Sequence, residues 1–150
     1  MSNRKSTIQI GLASTVAAEI RLVARKLKLH LREHGGRDDL TPSQISVVLQ
    51  LEKDGSATVS SLARAEGIRP QSMSAIVTPL HELGLVSGAP DPSDGRQTLL
   101  SLTPKCLKRL QDGRAARQDW LTATITQKLS AAEQEKLQAA LELIKRLVED

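Results

Sequence analysis

The stretch that decides the fold is residues 58–103, which read TVSSLARAEGIRPQSMSAIVTPLHELGLVSGAPDPSDGRQTLLSLT. Thr58-Val59-Ser60-Ser61-Leu62-Ala63 is an amphipathic helix start, and Gly67-Ile68-Arg69 breaks that helix. Pro70 begins a second helix, which closes at Leu83-Gly84-Leu85-Val86, where Gly84 occupies the place of a left-handed C-cap residue. Two strand-like runs then flank Asp91-Pro92-Ser93-Asp94-Gly95-Arg96. Helix, turn, helix and a hairpin with a basic tip predict a winged helix-turn-helix, a DNA reader.

Helical patterns flank this stretch on both sides. Residues 1–7 are polar and predicted to be disordered. Steps of four and three then separate the apolar residues Ile8, Leu12, Val16, Ile20, Val23, Leu27 and Leu31, which predicts a first helix that Gly35-Gly36 ends. Its opposite face carries Arg21, Arg25, Lys28 and Arg32, which we interpret as a solvated face.

Threonine caps predict where the next helices begin. Thr41-Pro42 with Gln44 forms a capping box, and Asp54-Gly55 stops that helix. Ala57-Thr58-Val59 is predicted to add a third strand to the wing, and Thr58 to cap the helix that follows. Thr103-Pro104 starts a helix that runs to about Lys128. Its apolar marks are Leu107, Leu110, Leu121 and Ile125.

The stripe of that helix is interrupted by Arg114, Arg117 and Gln118, which predicts that the helix crosses open space there. Ser130 and Glu133 form a second capping box, and the last helix is predicted to bury Leu137, Leu141, Ile144 and Val148.

Composition bounds the class of protein. The chain has no Phe and no Tyr, and its one Trp is Trp120, so the core must consist of Leu, Ile, Val and Ala. The net charge is +4; residues 1–40 contain eight basic and four acidic residues, and residues 55–110 contain six and four. A single cysteine, Cys106, excludes an internal disulfide and favours a reducing compartment. No apolar run approaches the roughly 20 residues of a membrane span, and no signal peptide is evident. We therefore expect a cytoplasmic protein without membrane contact.

The terminal helices carry more apolar surface than a reader of this size can cover. They are predicted to cover each other, within and between two chains, in a two-fold homodimer. The fold class is thus mainly α, an α+β winged helix, within a single domain over residues 1–150. Residues 8–34 and 104–150 form the helical dimerisation region, and residues 41–103 the DNA-binding region.

At several points the chain resembles the multiple-antibiotic-resistance-regulator (MarR) family of dimeric bacterial transcription regulators. The matching segments are Leu40-Thr41-Pro42-Ser43-Gln44, Leu62-Ala63, Leu83-Gly84-Leu85-Val86, Asp91-Pro92-Ser93-Asp94-Gly95-Arg96 and Leu102-Thr103-Pro104-Lys105. Their order and spacing, over roughly residues 8–148, carry the resemblance. Gly95 departs from it, because the family often has a second arginine before the one matched by Arg96.

The predicted DNA contacts lie on the second helix of the reader, on the helix before it and on the wing. Short polar side chains let a helix enter the major groove, where Gln pairs with adenine and Ser or Thr with several base edges. An arginine at a hairpin tip enters the minor groove, and the resemblance implies that Asp94 holds Arg96 through an ion pair. The candidates are Thr58, Ser60, Arg69, Gln71, Ser72, Ser74, Thr78, Asp94, Arg96 and Gln97. Pro79, inside the second helix, predicts a bend, which either re-aims the groove-facing turns or is incidental.

Other chemistry finds little support in the sequence. His30 and His34 lie one helical turn apart without a third ligand, so no metal is predicted, and no cofactor motif or catalytic constellation occurs. The resemblance implies a small-molecule effector, often an aromatic acid, for which Arg21 and Trp120 are candidate contacts. The peroxide-sensing relatives have a cysteine near the start of their first helix; Cys106 lies elsewhere and is predicted to be a packing residue.

The prediction is therefore a ligand-responsive repressor that binds a pseudo-palindromic operator as a homodimer, and not an enzyme. The alternative is a helical protein-interaction module whose winged region binds protein. Salt dependence discriminates between them, because only DNA binding should weaken steeply between low and physiological salt.

Overall fold

The computed structural model describes residues 2–36 and 39–150. Within these residues the order of elements is α1 (Ser2–Glu33), α2 (Pro42–Asp54), β1 (Ala57–Thr58), α3 (Val59–Glu66), α4 (Pro70–Glu82), β2 (Val86–Pro90), β3 (Thr98–Leu102), α5 (Pro104–Lys128) and α6 (Ala131–Lys145). The predicted fold class, mainly helical with a small winged sheet, is confirmed.

The winged sheet is antiparallel, in the order β1-β3-β2. Val86 pairs with Leu102 at one end of the wing, and Pro90 pairs with Thr98 at the other. Ala57 of β1 lies opposite Leu100, which confirms the predicted third strand.

Helices α2 to α4, the sheet and the start of α5 enclose one aliphatic core. Its most buried members come from every one of these elements: Val47, Val48, Leu51, Leu62, Ala63, Met73, Val77, Leu80, Leu85, Val86, Leu100, Cys106 and Leu110. The core therefore belongs to the reader, and it contains no aromatic side chain, as the composition predicted. Burying side chains of this size stabilises by about 1.5–3 kcal/mol each, so the reader is the rigid part of the chain.

The predicted N-caps are present, but of the two predicted capping boxes only that of Thr41 and Gln44 is complete, because among the described residues the Glu133 side chain makes no bond back to Ser130. Thr41 and Gln44 exchange both bonds of a capping box. Thr58, Thr103 and Ser130 each accept a hydrogen bond from the backbone N–H three residues on. Each cap satisfies one N–H that the first helical turn leaves without a partner.

Two predictions about the terminal helices are wrong for the single chain. Residues 2–7 are not disordered but form the first turns of α1; no proline interrupts them, and extending an existing helix costs little. Residue 1 lies outside the described residues. The apolar residues of α6 are not buried, since Leu137, Leu141 and Ile144 are 37%, 46% and 38% exposed, and Val148 lies beyond the helix.

The polar interruption in α5 does not cross open space, contrary to the prediction. Arg114 forms a bidentate ion pair with Glu52 of α2, and the side chain of Arg117 packs against Gly35. Gly113, which precedes Arg114, lies close to the turn after α1. A Cβ added to Gly113 would meet the Gly35 carbonyl oxygen at 2.6 Å. We name this contact the glycine crossing; it joins α1 to α5.

By length and composition alone, residues Arg4–Glu33 are long and apolar enough to cross a membrane. None of the apolar window is buried within the chain. A helix that packs against another protein subunit passes the same test, so this feature marks an apolar surface in need of cover.

Substitution of Gly113 by Ala should destabilise the protein. The new methyl group meets backbone rather than a flexible side chain, so α1 and α5 must separate, at a cost of about 1–3 kcal/mol in the free energy of unfolding. Urea titration at one protein concentration measures it. Gly95→Ala is the control, because nothing lies within 4 Å of its Cβ position. Equal stability of the two variants would contradict a close crossing.

Candidate nucleic-acid interface

Helix α4 divides cleanly into a buried and an exposed face. Met73, Val77 and Leu80 are 0%, 5% and 0% exposed and fix the helix to the core. Gln71 and Ser74 lie one turn apart on the exposed face. This face meets solvent with short neutral side chains, as the sequence predicted for a helix that enters a groove.

The remaining predicted contacts of α4 surround this face. Ser72 and Thr78 are exposed, and the Thr78 hydroxyl donates to the Ser74 carbonyl oxygen at 2.8 Å. The hydroxyl hydrogen of Thr78 is therefore already used in a hydrogen bond, and the hydroxyl oxygen remains available to accept one. Arg69 occupies the N-cap position without a side-chain cap bond, and the first turn of α4 contains no acidic residue. The positive end of the helix dipole and an exposed guanidinium thus lie together.

Pro79 lies within a continuous helix, since α4 extends from Pro70 to Glu82. Proline has no N–H, so the carbonyl of Ala75 loses its usual helical partner. The chain resumes regular bonding at once, because Leu83 donates to the Pro79 carbonyl oxygen at 3.0 Å. Whether Pro79 re-aims the first two turns stays a prediction.

The two predicted contacts at the start of α3 are half-buried. Thr58 accepts the Ser61 N–H at 3.1 Å and therefore caps α3. Ser60 lies in the first helical turn. Both side chains are less accessible than those of α4, so the structure brings them to the edge of the reading face rather than to its centre.

The tip of the wing is a hydrogen-bonded turn that presents one arginine. Asp91 donates its N–H to the Gln97 carbonyl oxygen, and Gln97 donates its own to Asp94, both at 2.9 Å. The Asp94 carboxylate accepts from the Arg96 backbone N–H at 3.1 Å and lies 3.4 Å from Arg96 Nε. The Arg96 side chain is 95% exposed. The ion pair implied by the family resemblance is confirmed, and the side chain of Arg96 extends into solvent.

Sequence reasoning missed the contacts that hold the end of α4 against the start of α5. Lys105 Nζ donates to the Leu83 carbonyl oxygen at 2.8 Å, and the Thr103 hydroxyl donates to the Gly84 carbonyl oxygen at 2.6 Å. Gly84 has a φ of 71°, the left-handed conformation predicted for it. These residues are about 20 positions apart in sequence, and no local pattern signals their contact. Together they fix the C-terminal end of α4 to the first turn of α5.

The candidate effector contacts lie apart from each other. Arg21 is exposed on α1, whereas Trp120 of α5 is half-buried and stacks on His30 and His34. Among the described residues, no cluster of three or more His, Cys, Asp or Glu could hold a metal ion.

A cavity of about 530 Å³ lies where α1, α2 and α5 meet. Neither Arg21 nor Trp120 lines it. Its cations are Lys28, Arg32 and Arg117, and its apolar walls include Leu27 and Ile45. Arg117 Nη1 is buried and has no hydrogen-bond partner among the described residues. Sequence reasoning missed Arg117 as a site residue, although an arginine that interrupts an apolar stripe was a signal.

Cys106 is buried at 2% exposure in the reader's core, which confirms it as a packing residue. Burial raises the pKa of its thiol, and the positive charge of Arg109 opposes that effect only in part. The thiol therefore stays protonated at neutral pH and is a poor nucleophile.

Sequence comparisons agree with this geometry. The sequence profile of the MarR family matches residues 38–97. An uncharacterised HTH-type transcriptional regulator of Mycobacterium bovis is 32% identical over 135 residues, which cover 90% of this chain and 94% of the relative. The HTH-type transcriptional repressor MdtR of Bacillus subtilis is 27% identical over 130 residues, or 86% of this chain and 81% of the relative.

Solved structures share the fold. A putative transcriptional regulator of Pseudomonas aeruginosa superposes with a TM-score of 0.76 at 29% identity, over 91% of this chain and 96% of that one. The F27L mutant of MepR from S. aureus, bound to an oligodeoxyribonucleotide, has a TM-score of 0.67 at 20% identity, over 89% and 98% of the two chains. At that identity the second likeness shows the fold alone.

Proposed function

Because the chain belongs to the MarR family of DNA-binding transcriptional regulators, we propose that it is a cytoplasmic homodimeric repressor that binds a pseudo-palindromic operator and is released by a small organic acid. The observation that carries this proposal is the juxtaposition of two exposed features on one rigid core. These are the short, neutral reading face of α4 and the arginine at the tip of the wing.

The two features suit the two grooves of DNA. A helix whose exposed face carries Gln71, Ser72 and Ser74 approaches base edges closely, and its positive N-terminal end with Arg69 favours phosphate. The exposed guanidinium of Arg96 suits the narrow, negative minor groove. Repression is proposed because the relative MdtR is itself described as a repressor.

Dimerisation is proposed from the uncovered apolar side chains of the terminal helices. In α1, Ile8, Leu12, Val16 and Val23 are 68%, 65%, 44% and 61% exposed. In α6 and the turn after it, Leu141, Leu143, Ile144 and Leu147 are 46%, 60%, 38% and 70% exposed. An apolar surface of this extent marks an interface, and a second copy brings the same two helices to it.

We expect the double variant Leu12→Glu with Leu141→Glu to lose the dimer. Two carboxylates in an apolar interface must be desolvated without partners, which costs several kcal/mol. Light scattering should give twice the chain mass for the natural protein and the single chain mass for the variant. The control is Ser87→Glu, which adds one carboxylate on the wing, outside the terminal helices, and should remain dimeric. A dimeric double variant would place the interface elsewhere.

Selection of bound duplexes from random-sequence DNA tests the reading function. We expect a sequence with two-fold symmetry whose half-sites lie about 10 bp apart, because symmetric readers meet one face of the duplex. On that duplex, Arg96→Ala should weaken binding by about 1–3 kcal/mol and reduce the salt slope by about one, without loss of stability.

Arg146→Ala is the matched control, since it removes one positive charge beyond α6, away from the wing. Asp94→Ala should show a smaller loss, because its carboxylate orients Arg96 but also repels phosphate. In the double variant, Asp94→Ala should have little further effect. Full affinity of Arg96→Ala would exclude the wing contact, and failure to select any duplex would count for the protein-interaction alternative.

The effector is proposed to bind in the cavity between α1, α2 and α5. Its volume lies within the range of small-molecule sites, and it combines apolar walls with three cations. A carboxylate bound there would pair with the guanidinium of Arg117, which lines the cavity. The cavity lies next to the glycine crossing, so a ligand bound there would change the angle between α1 and the reader.

Salicylate is the probe. We expect calorimetry to detect its binding to the natural protein, and we expect salicylate to lower the affinity of the protein for the selected duplex. Arg117→Gln should reduce salicylate affinity at least about tenfold, since a hydrogen bond to a charged group contributes about 1.5–3 kcal/mol. Arg21→Gln removes a charge from α1 outside this cavity and should bind salicylate normally. The reverse result would move the site to Arg21.

A further inference from the structure

Trp120 of α5 contacts two histidines, His30 in the last turn of α1 and His34 directly after the helix. The ring centroid of His34 lies 4.6 Å from that of Trp120 with the planes 19° apart, and the ring of His30 lies at 5.7 Å and 22°. Both are stacked geometries. We name these three residues the histidine clasp. It lies one to two turns from the glycine crossing and spans the same pair of helices.

Hydrogen bonds hold one ring of the clasp in place whatever its charge. His34 Nδ1 lies 2.8 Å from the His30 carbonyl oxygen, to which it must donate, so His34 gains a second proton at Nε2. His30 Nδ1 lies 3.6 Å from a Glu33 carboxylate oxygen. Both histidines are exposed, so protons reach them from solvent.

The charged groups around the clasp come from α1 and α5. Glu33 faces His30 from α1. His34 lines a groove together with four charged residues of α5, namely Lys105, Lys108, Arg109 and Asp112. Arg117 lies one turn before Trp120 on the same helix. Two of these cations are already neutralised, since Lys108 pairs with Asp112 at 2.7 Å and Arg109 pairs with Asp39. For His34 the indole face lies at 4.6 Å, whereas His30 faces both the indole ring at 5.7 Å and the Glu33 carboxylate at 3.6 Å.

We propose that the histidine clasp is a pH-sensitive fastener between α1 and α5, which tightens as its imidazoles become protonated and thereby strengthens DNA binding. The effect on DNA rests on the proposed function; the fastening does not. Histidine changes charge between about pH 5 and pH 8, and a cation over an indole face is attracted by the negative ring face. A neutral imidazole lacks that attraction, so protonation favours the closed contact.

The consequence for DNA follows from freedom of motion. If α1 holds the partner chain, the contact between α1 and α5 limits how far each reader moves relative to the other. When the contact between α1 and α5 is closed, the two readers lose less conformational entropy on binding one duplex. A direct charge effect of the clasp on DNA is small beyond a Debye length of roughly 10 Å at 0.1 M salt.

Fluorescence tests the fastening without DNA. Trp120 is the only tryptophan and the chain has no tyrosine, so the emission reports the clasp alone. A protonated imidazole in contact with an indole quenches it. We expect emission to fall between pH 8 and pH 6 in the natural dimer and in the control His81→Gln, and to stay constant in His30→Gln/His34→Gln. No change in the natural protein, or the same change in the double variant, overturns the proposal.

Binding to the selected duplex at constant salt tests the consequence. We expect affinity to be about two- to fivefold higher at pH 6 than at pH 8, which corresponds to one exposed cation–π contact. His81→Gln should keep this ratio, and His30→Gln/His34→Gln should bring it close to one, with an unchanged circular-dichroism melt at pH 8. A ratio that survives in the double variant, or that disappears in His81→Gln, overturns the link to DNA.

Discussion

The close approach of Gly35 and Gly113 is the contact on which the arrangement of this molecule depends. Two backbones meet where a single added methyl group would strike a carbonyl oxygen, so only glycine allows α1 and α5 to cross there. On one side of the crossing lies the compact reader, and on the other lie long helices with exposed apolar side chains. The cavity at Arg117 and the stack on Trp120 lie beside it. Ligand binding in the cavity and protonation of the histidine clasp would therefore affect the same contact, the one between α1 and α5.

The reader is rigid for an equally simple reason. Its core consists of aliphatic side chains with Met73 and Cys106, drawn from helices α2 to α5 and the sheet, and helices α2 and α3 begin at capped positions. Rigidity is what a DNA reader requires, because a side chain that must be ordered on binding contributes less affinity. The exposed groups of α4 and the wing inherit their positions from this core, through contacts such as that between Lys105 and Leu83.

Local patterns predicted most of this architecture. The cap of α2, the left-handed Gly84 and the wing turn each depend on a few consecutive residues, so the sequence is sufficient to place them. The contacts between distant segments were not predictable in the same way. The sequence showed Arg114 and Arg117 as polar interruptions but not their partners, Glu52 and Gly35, because those lie about 60 and 80 positions away. The helix at residues 2–7 was missed because polarity was read as disorder, although nothing there breaks a helix.

The composition of the reading face has a consequence for how such proteins diverge. The exposed positions in the first turns of α4, from Gln71 to Thr78, carry uncharged side chains, while Arg69 at the helix cap and Arg96 in the wing are cations. In the proposed function, sequence preference and general attraction to the polyanion therefore depend on different segments. If α4 contacts bases as proposed, a single substitution at Gln71 or Ser74 would change the preferred bases while the overall attraction to nucleic acid stays the same. Paralogues built on this plan can acquire new operators by small steps, each of which remains a competent DNA-binding protein.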